Sequence, residues 1–292
     1  MKLVEANSIM DNIFHLHKNG QYPGMKTGWS SLDELYSVRR GNTTIITGYP
    51  TSGKTTFYLN LLVNLTKNFG WKHCVYSPET GTASEIYAEL IFMLTGKTFN
   101  KTYQNYITEK ELYNILPMVQ EFFKVIEPED TNNTLDNLYS EIDYCVKTYN
   151  INSFGIDNWN DIEHNMIAKG TISEYLKHEL PKFNRFAKTR DVHGFCLVHP
   201  RNPDPLKQGE QLQPPRPDQI EGGSLWYAKA QSLIVVHRNW DDPTNFNTLI
   251  KVEKAKPKIV GKKGQAILTY YAGHGIYRNN EKLYQQVEEK PF

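Results

Sequence analysis

The segment from Gly48 to Thr55 constrains the fold of this chain more than any other part of the sequence. It matches the pattern G-x-x-x-x-G-K-[ST], whose glycines let consecutive backbone N–H groups face a phosphate. The lysine of this pattern reaches the β- and γ-phosphates, and the final hydroxyl holds Mg²⁺. An apolar segment precedes the loop and a helical pattern follows it, so the sequence predicts a strand, a phosphate-binding loop and a helix. The residues expected to contact ATP are Gly48, Tyr49, Pro50, Thr51, Ser52, Gly53, Lys54, Thr55 and Thr56, with Thr55 also a ligand of Mg²⁺.

Most of the chain alternates short β-branched runs with helical segments, which is typical of a parallel sheet covered by helices on both faces. Strands are predicted at residues 43–47, 73–77, 124–127, 153–157, 195–199, 232–237, 249–253 and 266–271. Helices are predicted at residues 55–69, 83–95, 109–123, 135–149 and 173–189. We therefore expect an α/β fold with a mostly parallel central sheet. Segment 201–223 interrupts the alternation with five prolines, and long irregular loops in such domains tend to be functional or mobile.

Residues 1–24 are expected to form an N-terminal arm or linker helix, and residues 25–292 the main domain. Ile9, Ile13 and Leu16 lie at helical spacing before Gly20 and the turn at Pro23-Gly24.

Composition excludes several classes of protein. The chain has 33 Lys and Arg residues against 32 Asp and Glu residues, so any nucleic-acid surface must be local. Its three cysteines, Cys74, Cys145 and Cys196, fit no C-x-x-C spacing, which argues against a zinc site or a disulfide framework and favours a reducing cytosol. No apolar run approaches the length of a membrane span, and the first residues are too polar and acidic for a secretory signal.

Three polar residues lie at the carboxyl ends of predicted strands or just beyond them, at the edge where a parallel sheet binds its ligands. Asp157 is the candidate for the Mg²⁺ shell, with a turn or cap residue as the alternative. Glu79 is the candidate base that orients the attacking water, with a solvated turn residue as the alternative. His199 can contact the γ-phosphate and signal its loss to segment 201–223; a purely structural histidine is the alternative.

The ordered set of motifs resembles the ring helicases of the DnaB type, and most closely the Twinkle-like and phage primase-helicase branch, which have a RecA-like ATPase fold. The order of the motifs is more specific than the phosphate loop alone. Besides that loop, the resembling segments are Thr27-Gly28-Trp29-Ser30-Ser31-Leu32-Asp33-Glu34-Leu35, Ser77-Pro78-Glu79, Asp157-Asn158-Trp159-Asn160, His199-Pro200-Arg201-Asn202-Pro203-Asp204 and Gly222-Gly223-Ser224.

This resemblance implies an ATP-driven replicative DNA helicase that translocates on single-stranded DNA as a homo-hexameric ring and unwinds duplex. Each ATP would lie between the phosphate loop of one subunit and cations of its neighbour. Family members usually carry an arginine finger among those cations, whereas this chain has only lysines, with Lys256 and Lys258 as the candidates. A solvated basic run is the alternative. Lys54, Glu79, Asp157 and His199 would complete the hydrolytic site.

The same resemblance implies further contacts. Arg201, Asn202 and Lys207 would contact single-stranded DNA, although Asp204 lies among them and a solvated loop is the alternative. A second, weaker DNA segment follows Trp159 toward Lys169. Two further residues would hold the adenine, or else belong to the core or the surface: Arg238 and Tyr270.

The arm would pack on the adjacent subunit, with docking on its own domain as the alternative. A primase or a helicase loader is an expected partner, because the chain contains no primase-like module and is either a domain of a larger primase-helicase or a helicase that borrows its primase. The expected compartment is the cytoplasm of a bacterium or a phage-infected cell, or an organelle. Two other functions remain open: a RecA-like recombinase filament and a non-motor, regulatory RecA-like ATPase.

Overall fold

Nine strands form one sheet in a computed structural model of the chain, which describes residues 3–128, 133–162, 171–203, 210–238 and 246–280. The strand order is β3-β2-β4-β5-β1-β6-β7-β8-β9. The first six strands in this order are parallel, and the last three add as antiparallel neighbours. In chain order the strands are β1 (Thr43–Thr47), β2 (His73–Tyr76), β3 (Phe123–Ile126), β4 (Ser153–Ile156), β5 (His193–Val198), β6 (Ser232–Arg238), β7 (Asn247–Lys254), β8 (Gly264–Tyr271) and β9 (Ile276–Asn279).

Helices cover both faces of the sheet. In chain order the described α-helices are α1 (Met10–Asn19), α2 (Ser30–Asp33), α3 (Lys54–Phe69), α4 (Ala83–Thr95), α5 (Glu109–Phe122), α6 (Leu135–Tyr149), α7 (Ile172–Arg190) and α8 (Ser224–Lys229). Helices α4, α5 and α7 each begin with a Thr-x-x-Glu capping box, in which threonine and glutamate satisfy backbone N–H groups of the first turn.

The core has two layers, one on each face of the sheet. Neighbouring residues of a strand point to opposite faces, so Ile46 packs with α3 and α4 while Ile45 packs with α6 and α7. Both faces are buried, which explains why the central strands are apolar runs without alternation.

The predicted α/β fold with a mostly parallel central sheet is confirmed. All eight predicted strands and five predicted helices are present, with boundaries that differ by at most two residues. Strand β9 and the short helices α2 and α8 were not among the predicted elements. Helix α1 has no buried residue, so the apolar side chains of residues 6–17 lie in solvent in the single chain.

The strand order brings the predicted site residues together. Strands β2, β4, β5 and β1 are consecutive neighbours and parallel, so their carboxyl ends share one edge of the sheet. The chain leaves these ends at Ser77, Asp157, His199 and Gly48.

Candidate nucleotide-binding site

The phosphate loop joins the end of β1 to the start of α3, and two of its glycines are required by close contacts. A Cβ atom on Gly48 would lie 2.2 Å from the carbonyl oxygen of Val236. Gly53 has a φ of 87° and faces the hydroxyl of Tyr277, which a Cβ atom would approach to 2.5 Å. The loop therefore packs against β6 and β9 as well as turning at its own glycines.

Lys54 is buried and its ammonium group lies at the centre of the site. Its Nζ atom lies 3.3 Å from the carbonyl oxygen of Tyr49 and 3.3 Å from Nδ1 of His199. Burial lowers the pKa of Lys54, and the charges of Glu79 and Asp157 offset part of that effect. The side chain thus needs a nearby negative group, and a bound phosphate supplies one.

His199 joins Lys54 to Glu79. An ammonium group can only donate, so Nδ1 of His199 accepts and the ring hydrogen lies on Nε2. Nε2 then donates to Oε2 of Glu79 over 3.1 Å. The predicted sensor and the predicted base therefore contact each other directly.

Glu79 receives a second hydrogen bond from Nδ2 of Asn158, 2.6 Å from the same oxygen. Burial of this carboxyl would raise its pKa, but the hydrogen bonds from Asn158 and His199 and the charge of Lys54 outweigh that effect, and the pKa of Glu79 is lowered. A carboxylate that stays ionised can accept a proton from water.

Asp157 is fully buried behind the phosphate loop. Its Oδ2 atom accepts hydrogen bonds from the hydroxyls of Thr55 at 2.7 Å and Ser77 at 3.0 Å. Its Oδ1 atom is buried and has no hydrogen-bond partner among the described residues. Burial raises the pKa of Asp157 to about 6, although the bonds from Thr55 and Ser77 act in the opposite direction. A buried carboxylate with one unsatisfied oxygen beside a threonine hydroxyl fits a divalent cation that binds through oxygen ligands.

The two predicted adenine contacts, Arg238 and Tyr270, lie together at the edge of the sheet that carries the phosphate loop. The guanidinium carbon of Arg238 lies 5.8 Å from the ring centre of Tyr270 and 5.2 Å from that of Phe246. The ring of Tyr270 in turn lies 5.3 Å from that of Tyr277, which touches Gly53. This stack of one cation and aromatic rings therefore adjoins the phosphate loop.

Comparison with known proteins extends these observations. The chain is 28% identical over 268 residues to the Twinkle homolog protein, chloroplastic/mitochondrial, of Arabidopsis thaliana, and the match covers 90% of this chain. This similarity agrees with the resemblance of its motifs to the DnaB-type helicases of the Twinkle-like branch. It spans 37% of the length of the Arabidopsis protein. No known protein-family profile matches the chain.

Two solved structures have the same fold. An ATPase domain superimposes with a TM-score of 0.76 at 16% identity, over 95% of this chain and 99% of that one. A DnaB-like replicative helicase, described with its interactions with primase, superimposes with a TM-score of 0.72 at 17% identity, over 94% of this chain and 68% of that one. The chain therefore has the RecA-like fold of these ATPase domains.

The basic run after β7 lies at the opposite edge of the sheet from the phosphate loop. Lys254 pairs with Leu233 near the start of β6, and the side chain of Asn42, before β1, donates to the carbonyl oxygen of Lys256 over 3.0 Å. Six residues of extended chain separate Asn42 from Gly48, a span of about 20 Å. Lys256 and Lys258 are exposed and far from the phosphate loop of their own chain.

Lys254 has a different role from the other lysines of this run. Its buried ammonium group donates to the carbonyl oxygens of Tyr227 at 2.6 Å and Ala228 at 3.2 Å. These carbonyls lie in the last turn of α8, so Lys254 closes the end of that helix. It is therefore held inside its own chain.

The predicted DNA segment begins directly after His199. Arg201 and Asn202 are exposed, and the guanidinium group of Arg201 lies 3.4 Å from the carbonyl oxygen of Asp218. Lys207 and Asp204 lie outside the described residues, as does Lys169 at the end of the second predicted segment.

Sequence reasoning missed two residues of the site. Asn158 stands inside a motif that the resemblance covers, but its bond to Glu79 depends on the turn that follows β4. Tyr277 lies on the unpredicted strand β9 and reaches a glycine more than two hundred residues earlier. The sequence signal that could have predicted β9 is the turn around Gly273 and Gly275, directly after β8.

Proposed function

We propose that the chain is the motor of an ATP-driven replicative DNA helicase, which hydrolyses ATP, translocates on single-stranded DNA as a hexameric ring and unwinds duplex. The observation that carries this proposal is the chain of contacts from Lys54 through His199 to Glu79. It connects a phosphate-binding lysine with a base, through a residue at the start of the candidate DNA segment.

Hydrolysis would use these residues in separate roles. The loop from Gly48 to Thr55 binds the phosphates through its backbone, and Lys54 neutralises the charge that develops on the γ-phosphate. Glu79 takes the proton of the attacking water. Both of its described hydrogen bonds fall on Oε2, so Oε1 is available for that proton. When the γ-phosphate leaves, Lys54 loses a partner. His199 contacts Lys54 and directly precedes the candidate DNA segment, so the loss alters that segment.

Thr55 and Asp157 would hold Mg²⁺. The unsatisfied Oδ1 atom of Asp157 supports this assignment, because a buried carboxylate oxygen without a donor needs a cation or a water bound to one. Mg²⁺ would supply charge neutralisation between the β- and γ-phosphates.

The residues that contact adenine and the cations that complete hydrolysis would lie on separate surfaces of the subunit. The stack of Arg238 and Tyr270 offers a planar cation and a ring to the base. Lys256 and Lys258 would complete hydrolysis in the site of a neighbouring subunit, since they lie too far from their own phosphate loop. Lysine gives only a point charge where a guanidinium would bridge two oxygens, so we expect slow hydrolysis.

The exposed apolar side chains of residues 6–17 support assembly with other copies of the chain. Ile9, Ile13 and Leu16 are each more than a third exposed in the single chain. Burying them on an adjacent subunit would stabilise a ring. Arg201, Asn202 and Lys207 would then line the central channel and contact DNA phosphates.

A primase or a helicase loader is the expected further partner. Within the described ranges, no helix combines the length and the apolar character that a bilayer requires. We propose the cytoplasm of a bacterium or a phage-infected cell, or an organelle, as the compartment; the name of the Arabidopsis relative supports the organelle.

The site is tested by two substitutions. Lys54→Ala is expected to abolish nucleotide binding or hydrolysis, whereas Glu79→Gln is expected to bind ATP and assemble but not to turn over. Hydrolysis by Glu79→Gln at the parent rate would refute the base assignment. Electron micrographs with an ATP analogue and single-stranded DNA test the assembly: rings with a central pore support the helicase, and open filaments support a RecA-like recombinase.

A further inference from the structure

Asn158 is a buried side chain whose orientation is determined by its neighbours. It is 3% exposed, and its Oδ1 atom accepts hydrogen bonds from the backbone N–H groups of Asn160 at 2.7 Å and Asp161 at 3.2 Å. The amide oxygen must face these donors, so the NH₂ group faces the other way, toward Glu79. Nδ2 donates to Oε2 of Glu79 over 2.6 Å.

Glu79 needs this contact because its own surroundings do not fix it. Its side chain is 48% exposed. A half-exposed glutamate occupies several rotamers and loses entropy when it is held in one. Asn158 and His199 both bind Oε2, which leaves Oε1 without a described hydrogen bond and able to accept one from water. The bond from His199 involves a ring that also contacts Lys54, whereas Asn158 is fixed by the backbone alone.

The turn that holds Asn158 is also attached to the far end of segment 201–223. Nδ2 of Asn160 lies 3.2 Å from Oε2 of Glu221. The ring of Trp159 packs edge-on against that of Trp226 at 5.5 Å, and Nε1 of Trp226 donates to the carbonyl oxygen of Glu221 over 2.6 Å. A displacement of Glu221 therefore reaches Asn158 through residues in direct contact.

We propose that Asn158 is the positioning residue of the base Glu79, and that the turn Trp159–Asp161 couples it to Glu221 and so to the candidate DNA segment. This inference rests on the proposed function. Asn158 performs this role without contacting ATP. The consequence is that the orientation of the base depends on the state of segment 201–223, near whose end Glu221 lies.

Asn158→Asp tests the inference, because it keeps the shape and the acceptor but replaces the donor with an oxygen that repels Glu79. We expect kcat for ATP to fall about 10- to 100-fold, a part of what a general base contributes, while KM stays within about twofold. Asn105→Asp is the matched control, since Nδ2 of Asn105 also donates hydrogen bonds, to the carbonyl oxygens of Gly96 at 2.8 Å and Gly273 at 3.4 Å, but away from the site. It should keep the parent kcat. Equal kcat for Asn158→Asp and the parent would overturn the inference.

A double-substitution cycle separates positioning from a general structural role. If Asn158 acts through Glu79, then Asn158→Asp should change the slow residual hydrolysis of bound ATP, followed as a single turnover with protein in excess, by less than about twofold in the Glu79→Gln background. The same factor in both backgrounds would overturn the inference. Absence of hydrolysis in the parent protein would overturn the proposed function and this inference with it. Hydrolysis by the parent that Asn158→Asp leaves unchanged would overturn the inference alone, so the two failures are distinguishable.

Asn160 is exposed, so Asn160→Ala tests the link to Glu221 without disturbing the interior. We expect the kcat measured with single-stranded DNA to fall by about twofold or more, within the range of couplings between linked sites. An unchanged kcat with DNA would overturn the link.

Discussion

The Nε2 atom of His199 lies 3.1 Å from Oε2 of Glu79, so the candidate sensor of the γ-phosphate touches the candidate base. His199 follows β5 and Glu79 follows β2, and only β4 lies between these strands in the sheet. A change at either residue therefore alters the hydrogen bonding of the other.

His199→Ala should lower kcat at least about tenfold, the lower part of the range for groups that support proton transfer. It should also move the acid limb of the pH–rate profile to higher pH. The base must be ionised, and loss of the hydrogen bond from His199 raises the pKa of Glu79, so less of the base is ionised at low pH. The variant keeps the other groups whose charge or hydrogen bond affects the pKa of Glu79, namely Lys54, Asn158, Asp157 and Asp161. His274→Ala, at an exposed position, is the control. A profile identical to that of the parent would contradict the contact.

Asp157→Asn should stabilise the protein in the absence of Mg²⁺ while abolishing Mg²⁺-dependent hydrolysis. The folded-state pKa of Asp157 is raised from 3.8 to about 6, so the native state holds this proton more tightly than the unfolded state. Stability from this group is present below pH 3.8 and is lost as the pH rises through about 6. The shift corresponds to about 3 kcal/mol.

With EDTA at pH 8 we expect the variant to melt about 5 °C above the parent, with the difference vanishing near pH 4. Thermal unfolding followed by circular dichroism gives the measurement. Asp11→Asn, on the exposed α1, should melt with the parent at both pH values. A variant that melts below the parent at pH 8 would show that Asp157 is not a buried, unpaired charge.

Lys256→Ala with Lys258→Ala should lose hydrolysis, and mixing this variant with Lys54→Ala should restore part of it. In a randomly mixed ring, about a quarter of the interfaces join an intact phosphate loop to intact lysines. Hydrolysis by each protein alone and by the 1:1 mixture gives the measurement. Lys262→Ala, at a nearby exposed position, should hydrolyse ATP at the parent rate. No recovery in a mixture shown to co-assemble would place these lysines outside the neighbour's site.

Arg201→Ala should weaken binding to single-stranded DNA and reduce the slope of log K against log salt by about 0.7, the value for one phosphate contact. Arg216→Ala is the matched control in the same segment. Its guanidinium group already lies 3.0 and 3.1 Å from the carboxylate oxygens of Asp218, so its removal should leave the slope unchanged. Fluorescence anisotropy at several salt concentrations measures both. Adding Lys207→Ala to Arg201→Ala should reduce the slope further, and equal slopes for all variants would remove this segment from the DNA surface.

The sequence predicted those parts of the site that depend on local pattern. Asp157 and His199 are polar residues at the ends of apolar strands, and a parallel sheet brings such positions to one edge. The sequence did not predict which residue each of these side chains contacts. Asn158 acts through a turn whose geometry is not encoded in residue spacing, and Tyr277 meets Gly53 only because three antiparallel strands return the chain to the phosphate loop. Lys254 looked like its neighbours Lys256 and Lys258 in sequence, but packing assigns it to the end of α8.

Unwinding of a forked DNA duplex tests the central claim most directly. With ATP and Mg²⁺, the parent protein should displace the labelled strand, whereas Lys54→Ala and Glu79→Gln should not. Strand displacement that requires ATP and both residues is the result that the helicase function predicts. An assembled, ATP-hydrolysing protein that displaces no strand would contradict it and would favour a regulatory ATPase.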